Sequence, residues 1–222
     1  MAGRKNFVSG SILTASDVNS FLMDQSVMVF DDSAARGSAI PTPTEGMVTY
    51  RKDEDLVEVF NGSAFGPIGK ILQVAAGVRT NEISTTATSF SVITGLTVTL
   101  TPKSASSKFI ILGQLSVSAN FNNGSAFFRI RRNTTDTIFI GDSSGSRARV
   151  TVATGLSNDE ASTAIPIMFL DSPATTAPVT YDFSFASATA GVSVFVNRRK
   201  SATDADGREV STSSIIVMEV AG

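Results

Sequence analysis

The chemistry open to this chain is bounded by two missing residue types. The sequence contains neither His nor Cys. Nucleophilic triads built on imidazole or thiol are therefore excluded, as are disulfides and thiolate metal sites, and the commonest general base and metal ligand is absent. Carboxylate pairs remain, and with them the two-acid chemistry of glycoside hydrolysis. The acids cluster at Asp31-Asp32, Asp53-Glu54-Asp55, Asp159-Glu160, Asp204 and Asp206. All of these fall in segments that read as turns, where solvated acids are the ordinary expectation, and spacing alone does not bring two of them to the roughly 5–9 Å the reaction needs.

Three further motifs carry weaker chemistry. "DADG" at 204–207 resembles the start of a calcium loop but is one ligand position short, and neither Glu209 nor Glu219 falls where a twelve-residue loop would end. The Gly141–Gly145 stretch lacks the lysine that completes a phosphate loop. The basic clusters "RIRRN" (129–133) and "NRRK" (197–200) could contact an anionic ligand. Strand alternation offers the simpler account, since Arg129 and Arg131 lie opposite Phe128 and Ile130. The three glycosylation sequons, at Asn61, Asn123 and Asn133, are expected by chance at this Ser/Thr content.

With 18 basic and 20 acidic residues the net charge is −2, so no polyanion-binding field is expected and nucleic acid is not an expected partner. No run reaches the roughly 18–20 apolar residues needed to span a bilayer, so membrane insertion is not expected either. The leading MAGRKNF has positive charge but no apolar stretch behind it, which does not read as a secretory signal. No metal, cofactor or enzymatic activity is expected.

The elements that must carry these residues fall into two parts. Residues 1–70 read as a small module. Thr14 and Asp17 form a capping box ahead of an apolar helical stripe, which predicts a helix over 15–29, with Leu13 placed to staple onto Val18. Residues 31–45, with two prolines in PTP, read as a stiff linker. Residues 46–65 read as a β-hairpin with a charged tip at 52–55 and a turn at Asn61-Gly62. From Ile71 the period becomes two. Ten strand candidates lie near 71–78, 90–100, 108–119, 126–132, 137–141, 147–154, 164–170, 179–186, 192–197 and 214–220. Many short strands with polar turns and no intervening helices predict a mainly β fold, an antiparallel β-sandwich or jelly roll over 71–222.

Several stretches in order resemble tailed-bacteriophage virion proteins of the tail-fibre or short-spike type. They are "LTASDVNSFLMDQSVMVF" and "AARGSAIPTPTEGMVTYRKDEDLVEVFNGSAF", then "TGLTVTLTPKSASSKFIILGQLSVS", "FLDSPATTAPVTYDFSF" and the terminal "STSSIIVMEVAG". The resemblance implies a homotrimer made in the bacterial cytoplasm and used in the virion. An N-terminal module would attach to other virion proteins of the tail, an adaptor or the capsid. A tumour-necrosis-factor-like jelly-roll head would meet a host surface glycan or protein. Expected attachment residues are Leu13, Val18, Phe21, Leu22, Met28 and Val29. Phe183, Phe185 and Val194 are expected either at a trimer interface or in the core. No coiled-coil or collagen-like shaft is evident, which leaves open a capsid-surface fibre, a collar or baseplate component, a decoration protein, or a glycan-active appendage.

Overall fold

In the computed structural model, the described residues are 8–19, 26–69, 71–119, 124–135, 138–156, 162–200 and 209–222. The chain divides into two compact units, Met1–Lys70 and Ile71–Gly222.

The first unit holds α1 (Ala15–Val18), β1 (Met28–Phe30), α2 (Ser33–Ala39), β2 (Val48–Arg51), β3 (Leu56–Phe60) and β4 (Phe65–Pro67). The capping box is present: Thr14 Oγ1 accepts from the Asp17 N–H at 3.1 Å, and an Asp17 carboxylate oxygen accepts from the Thr14 N–H at 3.3 Å. The helix it opens does not run to residue 29. Met28–Phe30 is a strand that pairs in parallel with β2, giving a four-stranded sheet in the order β1-β2-β3-β4. Met-Val-Phe satisfies helical and strand patterns equally, and a waiting edge of β2 decides between them.

The predicted linker over 31–45 also contains structure. Asp32 caps α2, accepting from the Ala35 N–H at 2.7 Å, and α2 ends at Ala39 with Ile40 as its C-cap, just before Pro41. Its sequence of small residues has no apolar stripe, so its hold is polar. Arg36 bonds the Glu58 carboxylate and lies 4.2 Å over the Phe65 ring. The hairpin of β2 and β3 pairs Val48 with Val59 and Arg51 with Leu56. Asp55 takes the left-handed conformation at its tip.

The second unit is an antiparallel β-sandwich of jelly-roll type. Its strands are β5 (Ile71–Arg79), β6 (Ile83–Thr85), β7 (Ser91–Leu100), β8 (Lys108–Ala119), β9 (Gly124–Arg132), β10 (Val152–Leu156), β11 (Thr163–Asp171), β12 (Val179–Ser187), β13 (Val194–Val196) and β14 (Ser213–Val220). One sheet runs β10-β9-β12-β7. The other runs β5-β14-β8-β13-β6, with β11 paired to the opposite edge of β8 over Phe109–Val117. The predicted strand at 137–141 is absent: residues 138–141 form bends and coil, and 136–137 lie outside the described residues. β6 is an added short strand that alternation over three residues does not reveal.

The core forms where the two inner faces meet. Ile93, Leu96 and Val98 of β7, Phe128 and Ile130 of β9, and Tyr181, Phe183 and Phe185 of β12 face Phe109, Ile111 and Leu115 of β8 with Ile215 and Val217 of β14. Phe183, Phe185 and Val194 are 0%, 1% and 0% exposed. Their own chain covers them, so they fill the core and leave no area for a partner copy. Gly113 is a packing necessity, since a Cβ there would stand 2.5 Å from Phe183 Cζ. At one lateral edge β5 approaches β7 so closely that a Cβ on Gly77 would lie 2.9 Å from the Thr97 carbonyl oxygen.

Candidate interaction surfaces

Among the described residues, the acids that could have formed a catalytic pair are engaged one by one. Asp31 pairs with Lys52 at 2.8 Å and Asp32 caps α2. Asp53 and Glu54 both reach the Arg51 guanidinium, which holds the Asp53 carboxyl below its ordinary value. Asp55 accepts from the Tyr50 hydroxyl. Asp159, Glu160, Asp204 and Asp206, and with them the calcium-like "DADG", lie outside the described residues. Among the described residues no three His, Cys, Asp or Glu side chains group as a metal site.

Three buried acids of the second unit are ones that sequence inspection passes over, because each sits singly inside an apolar strand. Asp171 at the end of β11 accepts from the Tyr181 hydroxyl at 2.6 Å and from Arg132 at 2.9 Å. Burial first, and the Asp171 carboxylate second, push the Tyr181 hydroxyl well above the ordinary tyrosine value. Asp182 takes a two-pronged bond from Arg131, its cross-strand neighbour, at 2.6 and 2.7 Å. Glu219, fully buried, accepts from the Lys103 N–H at 2.6 Å and from Gln73.

The basic clusters are consumed in the same way. Besides Arg131 and Arg132, Arg129 stacks 3.7 Å over Phe90 and Arg198 stacks 4.4 Å over Phe195 while pairing with Glu82. Arg199 pairs with Glu209 at 3.2 Å. These contacts tie strands and loops of one chain together.

Among the described residues, two sheet faces leave large apolar side chains exposed. In the first unit, Met28, Thr49 and Glu58 lie in one cross-strand row, on the face from which Arg36 reaches Glu58. The opposite face presents Val29, Tyr50 and Val57 in register, continued by Ile68, whose N–H bonds the Val57 carbonyl. Val29 and Ile68 are 56% and 58% exposed. Of the expected attachment residues, Leu13 and Val29 are exposed, and Val18 and Met28 are half-buried. Phe21 and Leu22 lie outside the described residues. Met28 and Val29 point to opposite faces of a strand, so they do not form one helical stripe with Val18.

In the second unit the two outer faces of the sandwich differ in character. The β10-β9-β12-β7 sheet turns Thr97, Thr99 and Thr180 outward, with the largely covered Arg131–Asp182 ion pair on the same side. The β5-β14-β8-β11 sheet turns out the row Ala76, Ile216, Leu112 and Met168, and beside it Val74, Met218, Ile110 and Leu170. Period-two reading of β14 could not find this face, because "SSIIVMEV" is apolar on both sides.

No protein-family model matches the sequence, and no curated protein matches it. Among solved structures, the chain is similar to that of T=1 particles derived from infectious bursal virus (TM-score 0.38, 12% identity, 81% of this chain and 44% of that one). It is also similar to chains of infectious bursal disease virus of the Gt strain (TM-score 0.36, 11% identity, 86% and 54%) and the Gx strain (TM-score 0.34, 11% identity, 86% and 56%). This chain spans about half the length of those virus proteins. Its jelly-roll assignment follows from its own strand pairing.

Proposed function

We propose that this chain is a non-enzymatic structural protein of a bacteriophage particle, a short trimeric fibre or spike. Its first unit would attach to a neighbouring virion protein, and its sandwich would meet the host surface. The observation that carries this reading is the uncovered row Val29, Tyr50, Val57 and Ile68 on a unit that is compact apart from the sandwich. A four-stranded sheet this small gains stability by burying both faces, and a docking partner supplies the second cover. The sequence resemblance, which runs through both units, supports the same reading. So does the engagement of the candidate acids at 31–32 and 53–55 in a cap, ion pairs and a hydrogen bond, which gives those five structural work.

Gold-labelled antibodies against the sandwich test this on purified particles. Label at the tail tip is the expected result, and label spread over the capsid would move the assignment to a decoration protein. Particles without label would overturn the reading. A Val29→Asp, Ile68→Asp chain is expected to fold but be absent from particles. Loss of viscosity from a host polysaccharide incubated with the protein would instead establish the glycan-active alternative.

A further inference from the structure

We propose that the outer face of the β5-β14-β8-β11 sheet is where copies of this chain associate. The inference deepens the assembly part of the reading above and does not depend on which particle the protein serves. Three consecutive cross-strand rows make up the face, from Val78-Ser214-Gln114-Pro166 through Ala76-Ile216-Leu112-Met168 to the row holding Val74 and Leu170. None of these positions is charged, in a chain where 17% of residues are. The opposite outer face carries the Arg131–Asp182 pair and a threonine ladder with Thr99 and Thr180 bonded at 2.8 Å.

Exposure is high where it matters: Met168 is 71% exposed, and Val74, Val78 and Leu170 are 57–59% exposed. Contiguous exposed apolar rows of this kind mark an association surface, and a standard stable interface takes ~800 Å² from each partner. A second copy is the occupant that fits. The three rows are uncharged and meet their own duplicate without like-charge repulsion, the nearest charge on this side being Lys108, one row beyond Ile110. The association surface is therefore this sheet face and not the strand residues Phe183, Phe185 and Val194, which the core already buries.

Sedimentation equilibrium of the full chain provides the test. Wild type is expected at a multiple of the 23.2 kDa chain mass. Met168→Glu and Val74→Glu should each weaken association at least tenfold, and the double variant should run as a single chain with an unchanged far-ultraviolet spectrum. Thr99→Glu, on the other outer face, should keep the wild-type mass. A second measurement avoids charge altogether: because the chain has no cysteine, Met168→Cys and Thr99→Cys each carry one reactive thiol. Maleimide should modify the former at least tenfold more slowly in the assembled protein. A monomeric wild type, charged variants that keep the wild-type mass, or equal thiol rates would each overturn the proposal. A wild-type dimer broken by the charged variants would uphold this face and overturn the trimeric reading. A trimer that survives them would do the reverse.

Discussion

The Tyr181 hydroxyl of one sheet donates to the Asp171 carboxylate of the other at 2.6 Å, and Arg132 reaches the same carboxylate from beside Tyr181. The Tyr181 ring also meets Phe109 at 5.9 Å between centroids. One buried carboxylate thus fastens the two halves of the sandwich at a single end.

Removing the donor and removing the acceptor should differ in cost. Tyr181→Phe keeps the ring and leaves Asp171 paired with Arg132, so a loss of about 1.5–2 kcal/mol is expected, in the range for a hydrogen bond to a charged group. Asp171→Ala leaves a buried hydroxyl and a partly buried guanidinium without their acceptor, and should cost about 3 kcal/mol. Urea unfolding of the two variants against wild type measures both.

Alkaline pH should weaken the sandwich through the same residue. The folded hydroxyl of Tyr181 has a raised pKa, so the native state holds its proton more tightly than the unfolded chain does. Its contribution is fully present below the unfolded tyrosine value near 10, and is lost as pH climbs from there toward the folded value. The slope is about 1.4 kcal/mol per pH unit. Tyr181→Phe should flatten that slope. The other tyrosine, Tyr50, is held up by the Asp55 carboxylate at an exposed hairpin tip and should ionise without unfolding. Phenolate absorbance followed alongside circular dichroism separates the two events.

Gly113→Ala should destabilise the second unit by about 1–3 kcal/mol, because its methyl group would stand against the Phe183 ring in a packed interior. Phe183→Leu alone should also be destabilising. The double variant should cost less than the sum, and a double-mutant cycle by urea unfolding reads that coupling.

Asn197 should distinguish backbone strain from lost bonds. It is fully buried at φ 63°, donates to the Arg79 and Asn81 carbonyls at 2.7 and 3.2 Å, and accepts from the Ser213 hydroxyl at 2.6 Å. Asn197→Gly keeps the left-handed backbone and loses only the side-chain bonds, at about 2 kcal/mol. Asn197→Ala adds roughly 1–2 kcal/mol of left-handed strain. Melting temperatures in the order wild type, glycine, alanine are expected, and equal losses would assign the whole effect to the bonds.

Alternation along the chain already marks which side of most strands is apolar. "TGLTVTL" and "VTYDFSF" bury Leu96, Val98 and Leu100, and Tyr181, Phe183 and Phe185, because a strand has only two faces and polar residues claim one of them. The Thr14–Asp17 cap was legible for the same reason: it is a local bond between neighbours. Where both readings of a pattern were apolar, only tertiary structure could choose. Met28–Phe30 became a strand because β2 offers it an edge; Ser33–Ala39, which has no apolar pattern to read, became a helix held by Arg36 on Glu58. β14 buries Ile215 and Val217 and turns Ile216 and Met218 outward, a choice set by which neighbouring sheet lies opposite. The Asp171, Asp182 and Glu219 contacts were invisible for a related reason. Their partners lie 10 to 146 residues away in sequence, and a charge inside an apolar strand acquires its meaning only from what the fold sets against it.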